Sequence, residues 1–167
     1  MSMEERPKMK LKKSPLELTL NGITLILFII SVSYLLSVWK ALPSEVPAHY
    51  NALGEVDRWG SKWEMIILPI IAIIIWIGMT VLEKYPHVYN YMNLTKDNIR
   101  GQYLNARLML NVIKNITTLI FAYINWKDAQ IALGYHHSLG PWFMPSFFIL
   151  LFVPMGYFII RSFRIKK

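Results

Sequence analysis

Met65-Ile-Ile-Leu-Pro-Ile-Ile-Ala-Ile-Ile-Ile-Trp-Ile-Gly-Met-Thr-Val-Leu82 is a run of 18 residues without a single charge. A hydrocarbon layer of about 30 Å is crossed by roughly 20 apolar residues in helical form, so this run reads as a membrane span. Working outward from it, three further stretches qualify. Residues 18–39 are apolar with Asn21, Thr24, Ser31, Ser33 and Ser37 as polar guests, residues 106–126 contain Lys114, and residues 142–160 are free of charge. With the second span taken as 64–82, the expected fold is an all-α integral membrane protein with four transmembrane helices. Its four-span membrane domain covers 18–160, and a structured loop at 40–63 joins spans 1 and 2.

Composition agrees with this class. The chain is 54% hydrophobic with a mean hydropathy of +0.36, high for a soluble domain. It contains no cysteine, which excludes disulfides, thiolate metal sites and cysteine nucleophiles. The first span resembles a signal peptide only superficially: it is too long, and Val38-Trp39-Lys40 lacks the small residues of a cleavage site.

The formal net charge of +8 invites a nucleic-acid reading, but its distribution argues otherwise. Arg6, Lys8, Lys10, Lys12 and Lys13 lie in the basic tail of residues 1–17. Lys84, Lys96, Arg100 and Arg107 link spans 2 and 3, and Arg161, Arg164, Lys166 and Lys167 form the tail of residues 161–167. The other two connections hold only Lys40, Arg58, Lys62 and Lys127. Positive residues favour the cytoplasmic side, so this alternation predicts cytoplasmic N- and C-termini and an outward-facing 40–63 loop. The tails then read as topology determinants in contact with anionic lipid, disordered or lying on the membrane surface. The expected setting is the bacterial cytoplasmic membrane, with the lipid bilayer as partner and no nucleic acid.

Local signals refine the helices. Ser14-Pro15 with Glu17 suits a helix start. Thr95 followed by Asn98 is a loose capping signal, and a helix from there to Trp126 would be longer than the bilayer is thick. Pro69, Pro145 and Pro154 are expected inside spans 2 and 4, where proline frees a carbonyl and kinks the helix.

The 40–63 loop carries more chemistry than a connector needs. Pro43 and Pro47 hold Leu42 and Val46 extended. Ala52-Leu53-Gly54 suits a turn, and His49 and Asn51, two apart, would point the same way in an extended segment. Asp57 can bond nearby amides or pair with Arg58, Lys62 or His49. Trp59 and Trp63 suit a membrane interface. These features predict a compact, hairpin-like cap, and Pro47, His49, Asn51, Gly54, Asp57, Arg58, Trp59 and Lys62 are its candidate binding residues.

The pattern Pro47-x-His49-Tyr50-Asn51-x-x-Gly54-x-x-Asp57-Arg58-Trp59-Gly60-Ser61-Lys62 after Leu42-Pro43 resembles the signature of a small bacterial membrane-domain family of unknown function. That domain is shared with the N-terminal part of the Sdp-toxin immunity proteins (SdpI-like). The resemblance covers the loop and its flanking spans. It implies several helical spans, an outer loop and, in the immunity branch, protection against a secreted peptide toxin. This chain departs from that branch by ending after four spans, without the further membrane domain found there.

The third span holds a second candidate set. Asn111, Lys114, Asn115 and Thr118 recur at three- and four-residue spacing and form one polar stripe. Lys114 falls past the middle of the bilayer, where a charge costs roughly 3 kcal/mol. Glu17, Glu64 and Glu83 are all placed near interfaces, so the expected relief for Lys114 is snorkelling, neighbouring Asn side chains, water, lipid phosphate or a partner chain.

No nucleophile-and-base pattern, H-E-x-x-H motif or phosphate-binding glycine loop occurs. The adjacent His136 and His137 with His49 make a poor ligand set, so neither a metal nor another cofactor is expected. The sequence therefore points to a non-enzymatic membrane protein that binds a peptide, lipid or membrane-protein partner through its outer loop and third span, in the manner of immunity or envelope protection. The alternatives are an accessory subunit of a larger membrane complex, in which oligomeric contacts would use the third span, and a small-solute transporter. A transporter would need a continuous polar path, and the lack of a mid-depth acid argues against proton coupling.

Overall fold

The computed structural model describes residues 6–165. Lys166 and Lys167 of the C-terminal basic tail, and the first five residues of the N-terminal one, lie outside the described residues. The elements run α1 (Pro15–Val38), β1 (Glu45–Tyr50), β2 (Val56–Ser61), a 3-10 turn (Lys62–Ile66), α2 (Ile67–Leu82), a second short turn (Pro86–Val88), α3 (Ile99–Ala132) and α4 (Phe143–Arg164). Among the described residues, four helical segments are long and apolar enough to cross a membrane, with the first turn running into α2, which is the architecture of a multi-pass membrane protein. The expectation of an all-α fold needs one correction: the 40–63 loop contains a two-stranded antiparallel sheet.

Helix α1 starts at a complete capping box. The Glu17 amide donates to Ser14 Oγ at 3.3 Å, and the Ser14 amide donates to the Glu17 carboxylate at 2.6 Å. Its buried positions are Glu17, Thr24, Phe28, Ser31 and Leu35. That spacing of seven, four, three and four residues is a single seam, and it faces α3.

Helix α3 is the hub on which α1, α2 and α4 each pack. Its 34 residues span about 51 Å at 1.5 Å per residue, well beyond a bilayer core. One turn ahead of it, the Thr95 amide donates to Asn98 Oδ1 at 2.8 Å and the Asn98 amide to Thr95 Oγ1 at 3.3 Å. The helix is inside-out: Gln102, Asn105, Asn111, Lys114, Asn115, Thr118 and Asn125 are buried. Polar side chains in this position lock helices together by hydrogen bonds that lipid cannot replace. Ser31 Oγ donates to the Ala122 carbonyl at 2.7 Å, and Asn125 Nδ2 donates to Ser31 Oγ at 2.8 Å. A small apolar cluster of Phe28, Ala72 and Ala122 marks where α1, α2 and α3 meet.

Helix α4 makes its main helix contact with α3, and Phe158 is its one buried residue. It is clamped near its C-terminal end, where Asn105 Nδ2 donates to the Phe158 carbonyl and Gln102 Nε2 to the Ser162 carbonyl, both at 2.9 Å. Of the three prolines expected inside spans, Pro154 is interior to α4, and Pro69 lies inside the span that begins at Lys62, in the first turn of α2. Pro145 sits in the first turn of α4, where an amide proton has no helical partner to lose.

The N-terminal tail also differs from a free basic tail. Arg6 donates to the Tyr89 carbonyl at 2.6 Å, and Arg107 donates to the carbonyls of Leu11 and Lys12, each at 2.8 Å. Arg6 is thereby held against the 84–91 link, and Leu11 and Lys12 against α3.

Candidate functional site

The hairpin is built by its turn. Asn51 Oδ1 accepts from the Leu53 and Glu55 amides at 2.9 and 3.0 Å, closing the loop around itself. Gly54 has φ +76°, and a Cβ there would lie 2.6 Å from the Gly140 carbonyl oxygen, so glycine is required both for conformation and for space. The Gly54 carbonyl accepts from the Leu139 amide at 2.8 Å, and Glu55 bridges to Ser138. The hairpin tip is therefore docked on the connection between α3 and α4. The sequence carried no signal for this docking, because the partner is backbone.

Further contacts fix the hairpin body. The Tyr50 hydroxyl donates to the Asp128 carboxylate on α3. Burial first, and then the adjacent Asp128, push the Tyr50 phenol above its ordinary range. Arg58 donates to the Ala48 carbonyl and to Glu64, both at 3.0 Å. Lys62 Nζ donates to the Leu42 carbonyl at 3.3 Å and lies 5.1 Å from the Trp39 ring centre. His49 Nδ1 and Asp57 Oδ1 are 2.6 Å apart on the exposed face. Asn51 and His49 both line the cleft beneath the hairpin. The strand register is irregular on both sides of His49, and Asn51 lies beyond β1 in the turn.

Beneath the hairpin is a cleft of about 450 Å³. Pro47, His49, Tyr50, Asn51 and Arg58 form its hairpin wall. Glu64, Met65, Ile67 and Leu68 form a second wall, Ile124 and Asp128 belong to α3, and Leu139, Phe143 and Met144 close it. Of the eight loop residues singled out by sequence, Pro47, His49, Asn51 and Arg58 line this cleft. Gly54 and Lys62 shape the hairpin, Asp57 orients His49, and Trp59 is half exposed on the hairpin surface. Tyr50 and Asp128 escaped sequence reasoning because Asp128 sits on a distant helix that the turn chemistry does not reveal.

The polar stripe of α3 lies toward the other end of the bundle, and there the sequence expectation needs correcting. Lys114 has a carboxylate partner: its Nζ is 2.5 Å from Glu83 and donates to Thr80 Oγ1 at 3.0 Å. Side chains on a helix lean toward its N-terminus, so Lys114 reaches toward the end of α2, where Glu83 sits. Interface placement by counting residues missed this reach, and Glu83 is only 2% exposed. Lys13 also pairs with Glu83, at 2.8 Å. Burial opposes the Glu83 charge, but hydrogen bonds from Lys114, Lys13 and Asn111 outweigh it and hold the carboxyl below its ordinary range.

Asn111 Nδ2 donates to Glu83 and to Asn21 Oδ1, Asn115 Nδ2 donates to the same Asn21 oxygen, and Thr118 Oγ1 donates to the Lys114 carbonyl. The four stripe residues are thus tied to the bundle itself. Arg107, counted above as a topology charge, is likewise buried and holds Glu17 at 2.9 and 3.0 Å.

Residues 26–73 match the model of a domain of unknown function, DUF1648. The matched segment runs from the second half of α1 through the hairpin into α2. An uncharacterized protein of Archaeoglobus fulgidus is 35% identical over 108 residues, covering 58% of this chain and 56% of the relative. The match thus spans little more than half the length of that relative. No solved structure matches the chain.

Proposed function

We propose that this chain is a non-enzymatic binding protein of a prokaryotic cytoplasmic membrane, whose ligand enters the cleft under the hairpin from the outer side. The observation that carries the reading is the convergence of Pro47, His49, Asn51 and Arg58 on one 450 Å³ cleft whose remaining walls come from the membrane helices. A cleft of this size, largely apolar with a few polar groups, is the usual form of a binding site for a small molecule or a short peptide segment. Charge alternation supports the outward orientation. The resemblance to the SdpI-like domain supports envelope protection as the biological form, with a secreted peptide as the agent resisted.

The polar third span has a different role in this reading. Its side chains are spent on one another and on α1 and α2, which favours a scaffold over a solute path. An accessory-subunit role is a second reading, favoured by α4, which leaves most of its apolar surface uncovered.

The absence of native cysteine makes a clean test. Ala48 also lines the cleft, so Ala48→Cys places one thiol there, and a membrane-impermeant maleimide should label it in intact cells. Protection of that thiol by added peptide or lipid, lost in His49→Ala/Arg58→Ala, supports the cleft. Labelling only after the cells are opened overturns the orientation. Unchanged susceptibility to secreted peptides in cells lacking the chain overturns envelope protection, and stoichiometric co-purification with a membrane partner would favour the subunit.

A further inference from the structure

A second cavity adjoins the cleft. Between α3 and α4, in the half of the bundle nearer the hairpin, lies a groove of about 440 Å³. Its walls are Ile116, Ile120 and Tyr123 of α3 and Phe143, Phe147 and Leu150 of α4, with Ser146 the one polar side chain among the α4 residues. Leu139 and Phe143 line both the groove and the cleft, so the two cavities adjoin at these side chains. The groove lies between two helices that each qualify as membrane spans, and Leu139, Gly140, Pro141 and Trp142 of the α3–α4 connection complete its lining.

Charge sorts the polar end. In the cleft, Arg58 is neutralised by Glu64, and His49 is matched by Asp57. Asp128 has no matching cation: among the described residues its one hydrogen-bond donor is the neutral Tyr50 hydroxyl, and it takes part in no ion pair. Asp128 is therefore the acidic side chain of the cleft left without a cationic partner. A carboxylate without a cation, at the edge of a low-dielectric region, favours an ammonium ligand over a neutral or anionic one.

We infer that the cleft and the groove together take one membrane-resident amphiphile, with a cationic amine head at Asp128 and an alkyl tail between α3 and α4. This inference rests on the binding role of the cleft proposed above and names the class of ligand. The tail supplies apolar contact along the aromatic and aliphatic walls, and the head supplies the charge that Asp128 lacks. Head and tail are then recognised by different helices, so binding requires both.

The test uses the full chain in phosphatidylcholine nanodiscs and follows its thermal unfolding midpoint. Dodecylamine is titrated beside butylamine, dodecanol and dodecanoate. Dodecylamine should give a saturable rise, with at least tenfold tighter apparent affinity than dodecanol, and butylamine should give none in the same range. Asp128→Asn should remove the preference for the amine over the alcohol. Ser146→Phe, which fills the groove, should weaken dodecylamine at least tenfold. Asp128→Glu keeps an acidic group at the same position and should keep the preference for the amine, and the Ser146→Phe result provides a reading if Asp128→Asn does not fold.

Equal responses to dodecylamine and dodecanol, or a preference that survives in Asp128→Asn, overturn the inference. If alkylamines fail but an apolar decapeptide protects Ala48→Cys from maleimide, the amphiphile is lost and the binding cleft stands. If neither probe binds in a way that depends on cleft residues, both readings fall.

Discussion

The two ends of the bundle use similar residues for different ends. At the tail end, Lys114, Glu83, Arg107, Glu17, Asn111 and Asn115 are buried and bonded to one another. At the hairpin end, His49, Asp57 and Arg58 are exposed, and Asp128 faces a cleft without a cation of its own. A polar side chain within a membrane domain is commonly read as functional. Here the informative property is whether the group has been satisfied internally. Interhelical ion pairs and hydrogen bonds hold the helices together, and an acidic group without a cation at a cavity is available to a ligand.

That contrast can be broken by substitution. Lys114→Met should have the largest effect on folding, about 3–5 kcal/mol, because it strips a buried carboxylate of a charged partner. Unfolding in mixed micelles measures it, and Lys114→Met/Glu83→Gln should recover a substantial part. If the single substitution costs nothing, the tail-end network is not structural and the contrast fails. Gly54→Ala comes next, at roughly 2 kcal/mol, from the left-handed backbone and the crowding of Gly140. Its signature is local: the Leu139 amide, which donates to Gly54, should exchange faster with solvent than the amides of α3.

Tyr50→Phe should cost about 1.5 kcal/mol, the scale of a hydrogen bond to a charged group, and loosen the hairpin from α3. Limited proteolysis at the 51–55 turn reads that loosening directly. His49→Ala should be smallest, within ~0.5 kcal/mol, since an exposed pair contributes little to stability. Its effect should appear instead as lost protection of the cleft thiol. A His49→Ala protein that is markedly unstable would move His49 from the ligand-facing class to the structural one.

Much of the helical frame was legible from particular residues. The charge-free run 65–82 marks α2, and Ser14 with Glu17 marks the start of α1. Thr95 and Asn98 mark the approach to α3, although that helix continues past Trp126 to Ala132. The hairpin was visible in part through its Pro, Asn and Gly residues, whose turn chemistry is local. The strand bulge at His49 was not, because register depends on what the hairpin rests upon.

The Lys114–Glu83 pair was missed for a similar reason. Sequence spacing locates Cα atoms along a helix, whereas the ion pair depends on which way a long side chain leans and on which helix lies beside it. Arg107 shows the same limit: its sequence position made it a topology charge, and packing made it the buried partner of Glu17.

Sequence alone determined that four segments are long and apolar enough to cross a membrane, that positive charge alternates between their connections, and that the 40–63 segment is a constrained turn unit. Those properties follow from hydropathy, charge and backbone chemistry, which act over a few residues at a time. Tertiary structure decided that α3 is the hub, that the hairpin docks on the α3–α4 connection, and that Asp128 meets Tyr50 over a cleft. Each of these joins residues far apart in the chain, and only the packing of helices against one another selects such pairs from the many that composition permits.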